Sequence, residues 1–171
     1  MNKIFITGLP GSGKSTVLRK VIDYLKNRGL KIGGIITPEI RKGEKRLGFK
    51  IIDIHSGKEG ILAHVDQKIG PRISKYRVNL EDFEKVALPA LDFAIKEADV
   101  ICIDEISKME FYSEKFKSKL YEILESDKLI IATLHRSFVN RFREYGQVIE
   151  VTKKNRNQLP KRISTFIKAS F

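Results

Sequence analysis

Two short stretches hold residue types that can do chemistry. The first, Gly8-Leu9-Pro10-Gly11-Ser12-Gly13-Lys14-Ser15-Thr16, fits the spacing G-x-x-x-x-G-K-[ST], with Gly8 first and Ser15 as the hydroxyl residue. Gly8, Gly11 and Gly13 allow backbone conformations that a side chain forbids, so successive N–H groups can point inward at phosphate oxygens. A helix starting near Lys14 adds its unpaired N–H groups and the positive end of its dipole. In such a loop the Lys14 ammonium reaches the β- and γ-phosphates, the Ser15 hydroxyl ligates Mg2+, and Thr16 is placed for the α-phosphate. The apolar run Ile4-Phe5-Ile6 before the loop and the helix-periodic segment after it supply the strand–loop–helix context that the motif needs. A dinucleotide fingerprint is excluded, because Gly11-Ser12-Gly13 is followed by Lys-Ser-Thr rather than x-x-Gly.

The second stretch is Val100-Ile101-Cys102-Ile103-Asp104-Glu105, an apolar run that ends in two acids. A buried strand ending in this way opens onto the carboxyl edge of an α/β sheet, where ligands bind. Beside a phosphate loop, Ile101 to Glu105 reads as a Walker B segment, with Asp104 holding Mg2+ directly or through its water shell. Glu105 is then placed to take a proton from, or orient, the attacking water. A surface or helix-capping pair of acids is the plain alternative when no phosphate loop is present. Thr133 and His135, at the end of a later apolar run, can sense the γ-phosphate or hold the water; His135 serves equally well as a helix cap. Arg46, Arg72 and Lys108 are candidates for a second cation on the phosphates, set against ordinary surface ion pairing. His55 and His64 have no metal-site spacing.

Composition bounds the rest. A chain of 171 residues suits one domain, 1–171, large enough to bury a core without disulfides. The single cysteine, Cys102, lies within an apolar run and suits a reducing cytoplasm. No stretch approaches the roughly 18 apolar residues of a membrane span, so no membrane association is expected. The net charge of +12 makes an anionic partner plausible, whether nucleotide or nucleic acid. Because the basic residues are spread along the chain, a solvated, heat-adapted surface is favoured over nucleic-acid binding.

These groups need elements to position them. Asn2–Thr7 reads as a strand and the segment after the loop as a helix, with Val17, Leu18, Val21, Ile22 and Leu25 inward and Gly29 as the stop. Leu30–Ile40 and Leu47–Ile54 read as strands, followed by Ile61-Leu62-Ala63, which together make an antiparallel meander over about 32–64. Residues 65–78 read as a surface loop. Asn79 is a credible cap for a long helix kinked at Pro89, and Ser113 for another. Residues 128–134 and 148–151 read as strands, and 157–168 as a basic helix packing Leu159, Ile163, Phe166 and Ile167.

Taken together, these residues resemble a known family, the small P-loop nucleoside-triphosphatases of hyperthermophiles and archaea, whose animal relatives are called cancer-related nucleoside-triphosphatase. The resemblance runs through Thr7 to Thr16, Gly34-Ile-Ile-Thr-Pro-Glu39, Lys45-Arg-Leu-Gly-Phe-Lys50 and Pro71-Arg-Ile-Ser-Lys-Tyr76. It continues through Phe83 to Leu91, Ile103-Asp-Glu-Ile-Ser-Lys-Met-Glu110, Ala132-Thr-Leu-His135 and Asn155-Arg156. It implies a RecA-like α/β fold with a mostly parallel sheet flanked by helices, and slow, Mg2+-dependent hydrolysis of ATP, GTP, CTP and similar nucleotides. Ser74 and Ser107 stand where the family pattern usually has glycine. A nucleotide kinase and a nucleotide-dependent RNA- or protein-binding switch are the alternative readings. No Asn-Lys-x-Asp guanine motif occurs, so broad base use is expected, with Asn155 and Arg156 as candidates for flanking the base.

Overall fold

The computed structural model describes residues 2–168. Strand β1 (Lys3–Thr7) leads through the glycine-rich loop into helix α1 (Lys14–Asn27) and strand β2 (Ile32–Ile36). Strands β3 (Glu39–Lys42), β4 (Lys45–Asp53), β5 (Glu59–His64), β6 (Arg72–Ile73) and β7 (Tyr76–Val78) follow before helix α2 (Leu80–Glu97). Then come β8 (Val100–Ile106), the one-turn helix α3 (Lys108–Phe111), α4 (Glu114–Glu125), β9 (Leu129–Leu134), α5 (Val139–Phe142), β10 (Gln147–Glu150) and α6 (Leu159–Lys168). Among the described residues the strands form one ten-stranded sheet in the order β10-β1-β9-β8-β2-β4-β5-β7-β6, with β3 paired to β4. The first five run parallel, and the remaining pairings are antiparallel.

Parallel strands covered on both faces need apolar residues at every position, and β8 and β9 are such runs. One face is covered by α1 and α6, whose Leu18, Val21, Leu25, Leu159 and Ile163 pack on Ile4, Ile6, Cys102 and Ile131. The other is covered by α2 and α4, whose Phe83, Leu91, Phe116 and Leu120 pack on Phe5, Ile101, Ile103 and Ile130. Gly34 lets β2 lie against β8: its φ is +125°, and a Cβ there would collide with the Cys102 carbonyl. Asn79 and Ser113 cap α2 and α4 by accepting from the N–H groups of Asp82 and Phe116.

Several expected boundaries shift, each for a physical reason. The segment 30–40 is two strands, broken at Thr37-Pro38; β2 pairs in parallel with β8 and belongs to the central sheet. The antiparallel part therefore begins at Glu39, and it does not end at His64, because residues 72–78 form a hairpin that extends the sheet. Phe166 is 44% exposed and lies outside the packed face of α6.

Candidate functional site

The parallel strands all end at one edge, and the loops leaving that edge build the site. Gly11 and Gly13 take φ values of +77° and +102°, and Gly13 is the N-cap from which α1 starts. The Ser12 N–H donates to the Leu9 carbonyl at 3.0 Å and closes the loop. The Ser12 hydroxyl is buried without a hydrogen-bond partner among the described residues. A Cβ at Gly8 would come within 2.5 Å of that hydroxyl and 3.0 Å of the Val151 carbonyl, so a side chain here would displace the Ser12 hydroxyl and crowd the backbone after β10.

Strand order brings the acids to the loop. Because β9 lies between β1 and β8, with Ile6 opposite Thr133 and Ile103 opposite Ala132, Thr133 sits level with Asp104. Its hydroxyl donates to Asp104 Oδ1 at 2.7 Å, and the Ser15 hydroxyl donates to the same oxygen at 3.0 Å. The Thr37 hydroxyl donates to the Asp104 backbone carbonyl at 2.7 Å. Asp104 is buried, and burial pushes its carboxyl above the usual aspartate range against the two hydroxyls that favour the charged form. The neighbouring Glu105 charge pushes it further in the same direction. The Asp104–Glu105 peptide bond is cis.

Glu105 faces the other way, toward the loop lysine. Its Oε2 lies 2.8 Å from Lys14 Nζ, the two side chains being 25% and 14% exposed. Ser15 Oγ and the Asp104 carboxylate are hard oxygen donors side by side, a set that suits Mg2+ completing its shell with phosphate oxygens and water. A third acid, Glu110 at the start of α3, is buried and receives the Ser107 hydroxyl at 2.6 Å and 3.2 Å on its two oxygens. Burial raises its carboxyl to about 8, with Ser107 pulling down and Glu105 pushing up.

A family model described as NTPase matches residues 3–164. The chain belongs to the NTPase family. Among relatives of this family, "Nucleoside-triphosphatase THEP1" of Methanocaldococcus jannaschii is 48% identical over 158 residues, covering 92% of each chain. The protein of the same name from Thermotoga maritima is 43% identical, over 97% of this chain and 95% of that one. The crystal structure of THEP1 from Aquifex aeolicus superposes with a TM-score of 0.84 at 32% identity, covering 96% and 98% of the two chains. The solution structure of a human cancer-related nucleoside triphosphatase gives 0.82 at 33% identity over the whole of both.

Other residues singled out from the sequence of this NTPase-family chain fall in different places. Arg46 already holds partners of its own: its Nε donates to the Tyr76 hydroxyl at 2.8 Å and its Nη1 to Glu39 at 3.2 Å, and it lies over the Phe49 ring. Arg72 donates to the Ser74 carbonyl within the outermost hairpin. Lys108 is exposed at the start of α3. His135 caps the turn that follows β9, its Nδ1 accepting from the Ser137 N–H and meeting the Ser137 hydroxyl at 2.7 Å. The Asn155 side chain holds its own loop through Thr152 N–H and the Glu150 carbonyl, which leaves Arg156 nearer the nucleotide loop: its Cδ lies 3.4 Å from where a Gly13 Cβ would be. Ser107 is extended, with φ −148°, so serine serves there, whereas Ser74 adopts φ +54°. Thr37 and Glu110 were not singled out from the residues themselves. Thr37 reads only as a strand residue, and the signal for Glu110 is an acid flanked by Met109 and Phe111.

Proposed function

We propose that this NTPase-family chain hydrolyses ATP, GTP, CTP and other nucleoside triphosphates to the diphosphate and phosphate, slowly and with Mg2+. The observation that carries the reading is the division of labour between adjacent acids. Asp104 is turned into the sheet toward Ser15 and Thr133, and Glu105 is turned outward toward Lys14. Lys14 and the loop N–H groups bind and orient the β- and γ-phosphates. Ser15 and Asp104 would hold Mg2+, which when bound neutralises charge shared by the β- and γ-oxygens. Glu105 orients a water toward the γ-phosphorus and accepts its proton at a carboxylate oxygen once Lys14 turns to the nucleotide.

Broad base use is supported by the engagement of the Asn155 amide within its own loop. Slow turnover is supported by the partners that Arg46 and Arg72 already hold, the Tyr76 hydroxyl and the Ser74 carbonyl, since an arginine on the phosphates accounts for large rate factors where it occurs. The test is phosphate release from each nucleoside triphosphate, with and without nucleosides and monophosphates as acceptors, for the wild type and Glu105→Gln. Release from all of them, lost in the variant, is expected. Transfer to an acceptor in excess of phosphate release would establish a kinase instead.

A further inference from the structure

Basic residues scattered in the sequence gather on one side of the fold. Helix α1 exposes Arg19, Lys20 and Lys26 against a single acid, Asp23, and α6 exposes Lys161, Arg162 and Lys168 against none. Arg28 follows α1, and Lys153 and Lys154 lie in the exposed segment before α6. Among the described residues none of these nine makes an ion pair. On the opposite face of the sheet α2 has the reverse balance, with Glu81, Asp82, Glu84, Asp92 and Glu97 against Lys85 and Lys96, while α4 is even, with three lysines against three glutamates.

Helices α1 and α6 pack side by side, and between them runs a groove of about 1020 Å³. Lys20, Asp23 and Tyr24 line it from α1, and Gln158, Lys161 and Arg162 from the other wall, three cations against one acid. Tyr24 is 46% exposed, and Phe166, beside Arg162 in the neighbouring hollow, is exposed to a similar degree. Unpaired like charges on adjoining helices repel one another, and an anion with regularly spaced charges relieves that repulsion. Exposed aromatic rings among such cations match a strand whose bases are free to stack. A lipid surface fits less well, because the apolar stripe of α6, Leu159, Ile163 and Ile167, is already buried against the sheet.

We propose that the α1–α6 face binds single-stranded nucleic acid, with the phosphates along its lysines and arginines and a base stacked on Tyr24. This reading is independent of the hydrolytic one. The test is fluorescence anisotropy of the full chain with labelled single strands of RNA and of DNA, about 16 nucleotides long. Binding to one or both is expected, with a double-logarithmic salt slope of about −0.7 for each phosphate engaged. Lys20→Glu combined with Lys161→Glu lowers the magnitude of that slope by about 1.4. Tyr24→Ala weakens binding about tenfold, and Tyr24→Phe restores it. Melting temperature and phosphate release stay at wild-type values in all three variants, since the positions are exposed and away from the nucleotide loop. RNA and DNA arms decide which strand is preferred. No binding at low salt, equal binding to duplex, undiminished binding by the variants, competition by ATP, or preference for phosphatidylserine vesicles overturns the proposal.

Discussion

Replacing Glu105 with Gln separates binding from turnover. Lys14 Nζ and Glu105 Oε2 stand 2.8 Å apart, and a nucleotide must take the lysine from the carboxylate before its phosphates are held. At an effective dielectric constant of 20 the Coulomb attraction at this distance is about 6 kcal/mol. Desolvation and the ordering of two side chains offset most of that, and a pair open to water at this level retains about 1 kcal/mol. Glutamine preserves the shape and removes the charge, so the variant binds ATP up to about fivefold more tightly than the wild type. Hydrolysis falls by about 10²–10⁴ with loss of the base. Calorimetric titration of ATP with Mg2+ gives the first quantity, and phosphate release at saturating nucleotide the second. Unchanged turnover refutes the assignment of Glu105, and weaker binding refutes the competition for Lys14.

Three further outcomes follow from other groups in the fold. Glu110 keeps its proton up to about pH 8 when folded, whereas its ordinary value is 4.5, so the folded state binds the extra proton between those limits. Stability therefore falls as pH rises through that window, by up to about 1.4 kcal/mol per pH unit, and levels off above it. Urea midpoints measured across the window check this, with Glu110→Gln expected to flatten the curve. Ser74→Gly relieves a left-handed serine but loosens the unfolded chain, for a net gain of up to about 1 kcal/mol and a melting point higher by about 2–4 °C. Gly34→Ala forces a methyl group into the Cys102 carbonyl at positive φ and costs more than about 4 kcal/mol, seen as loss of the cooperative melt.

The parts of the fold that local chemistry dictates were legible in the sequence. The glycine spacing before Lys14, the apolar run into Asp104, and the caps at Asn79 and Ser113 each have a nearest-neighbour cause, and each appears where those residues require it. What depends on strand partners was less legible. Residues 30–40 look like one β-branched run, yet Pro38 ends the parallel pairing with β8 and starts a hairpin on the other side. Residues 72–78 are too short and too basic to announce themselves, and they form strands because β5 presents an edge for β7. Thr133 was recognisable as a polar end to a buried strand, but only the insertion of β9 between β1 and β8 gives it Asp104 as a partner. The gathering of cations on one face was not legible at all, since Lys20 and Lys161 come to line one groove only after folding.

Cys102, finally, gives this protein a built-in clock for its own unfolding. It is the one thiol in the chain, lies wholly buried on β8 two residues before Asp104, and is held firmly in its protonated form by burial. A thiol reagent reaches it only when the central strand parts from its neighbours, so labelling times measure opening of the whole sheet rather than fluctuation of a loop. Slower labelling in the presence of ATP and Mg2+ would then register nucleotide binding through the stability of the strand that carries the acid, with no chromophore added to the site.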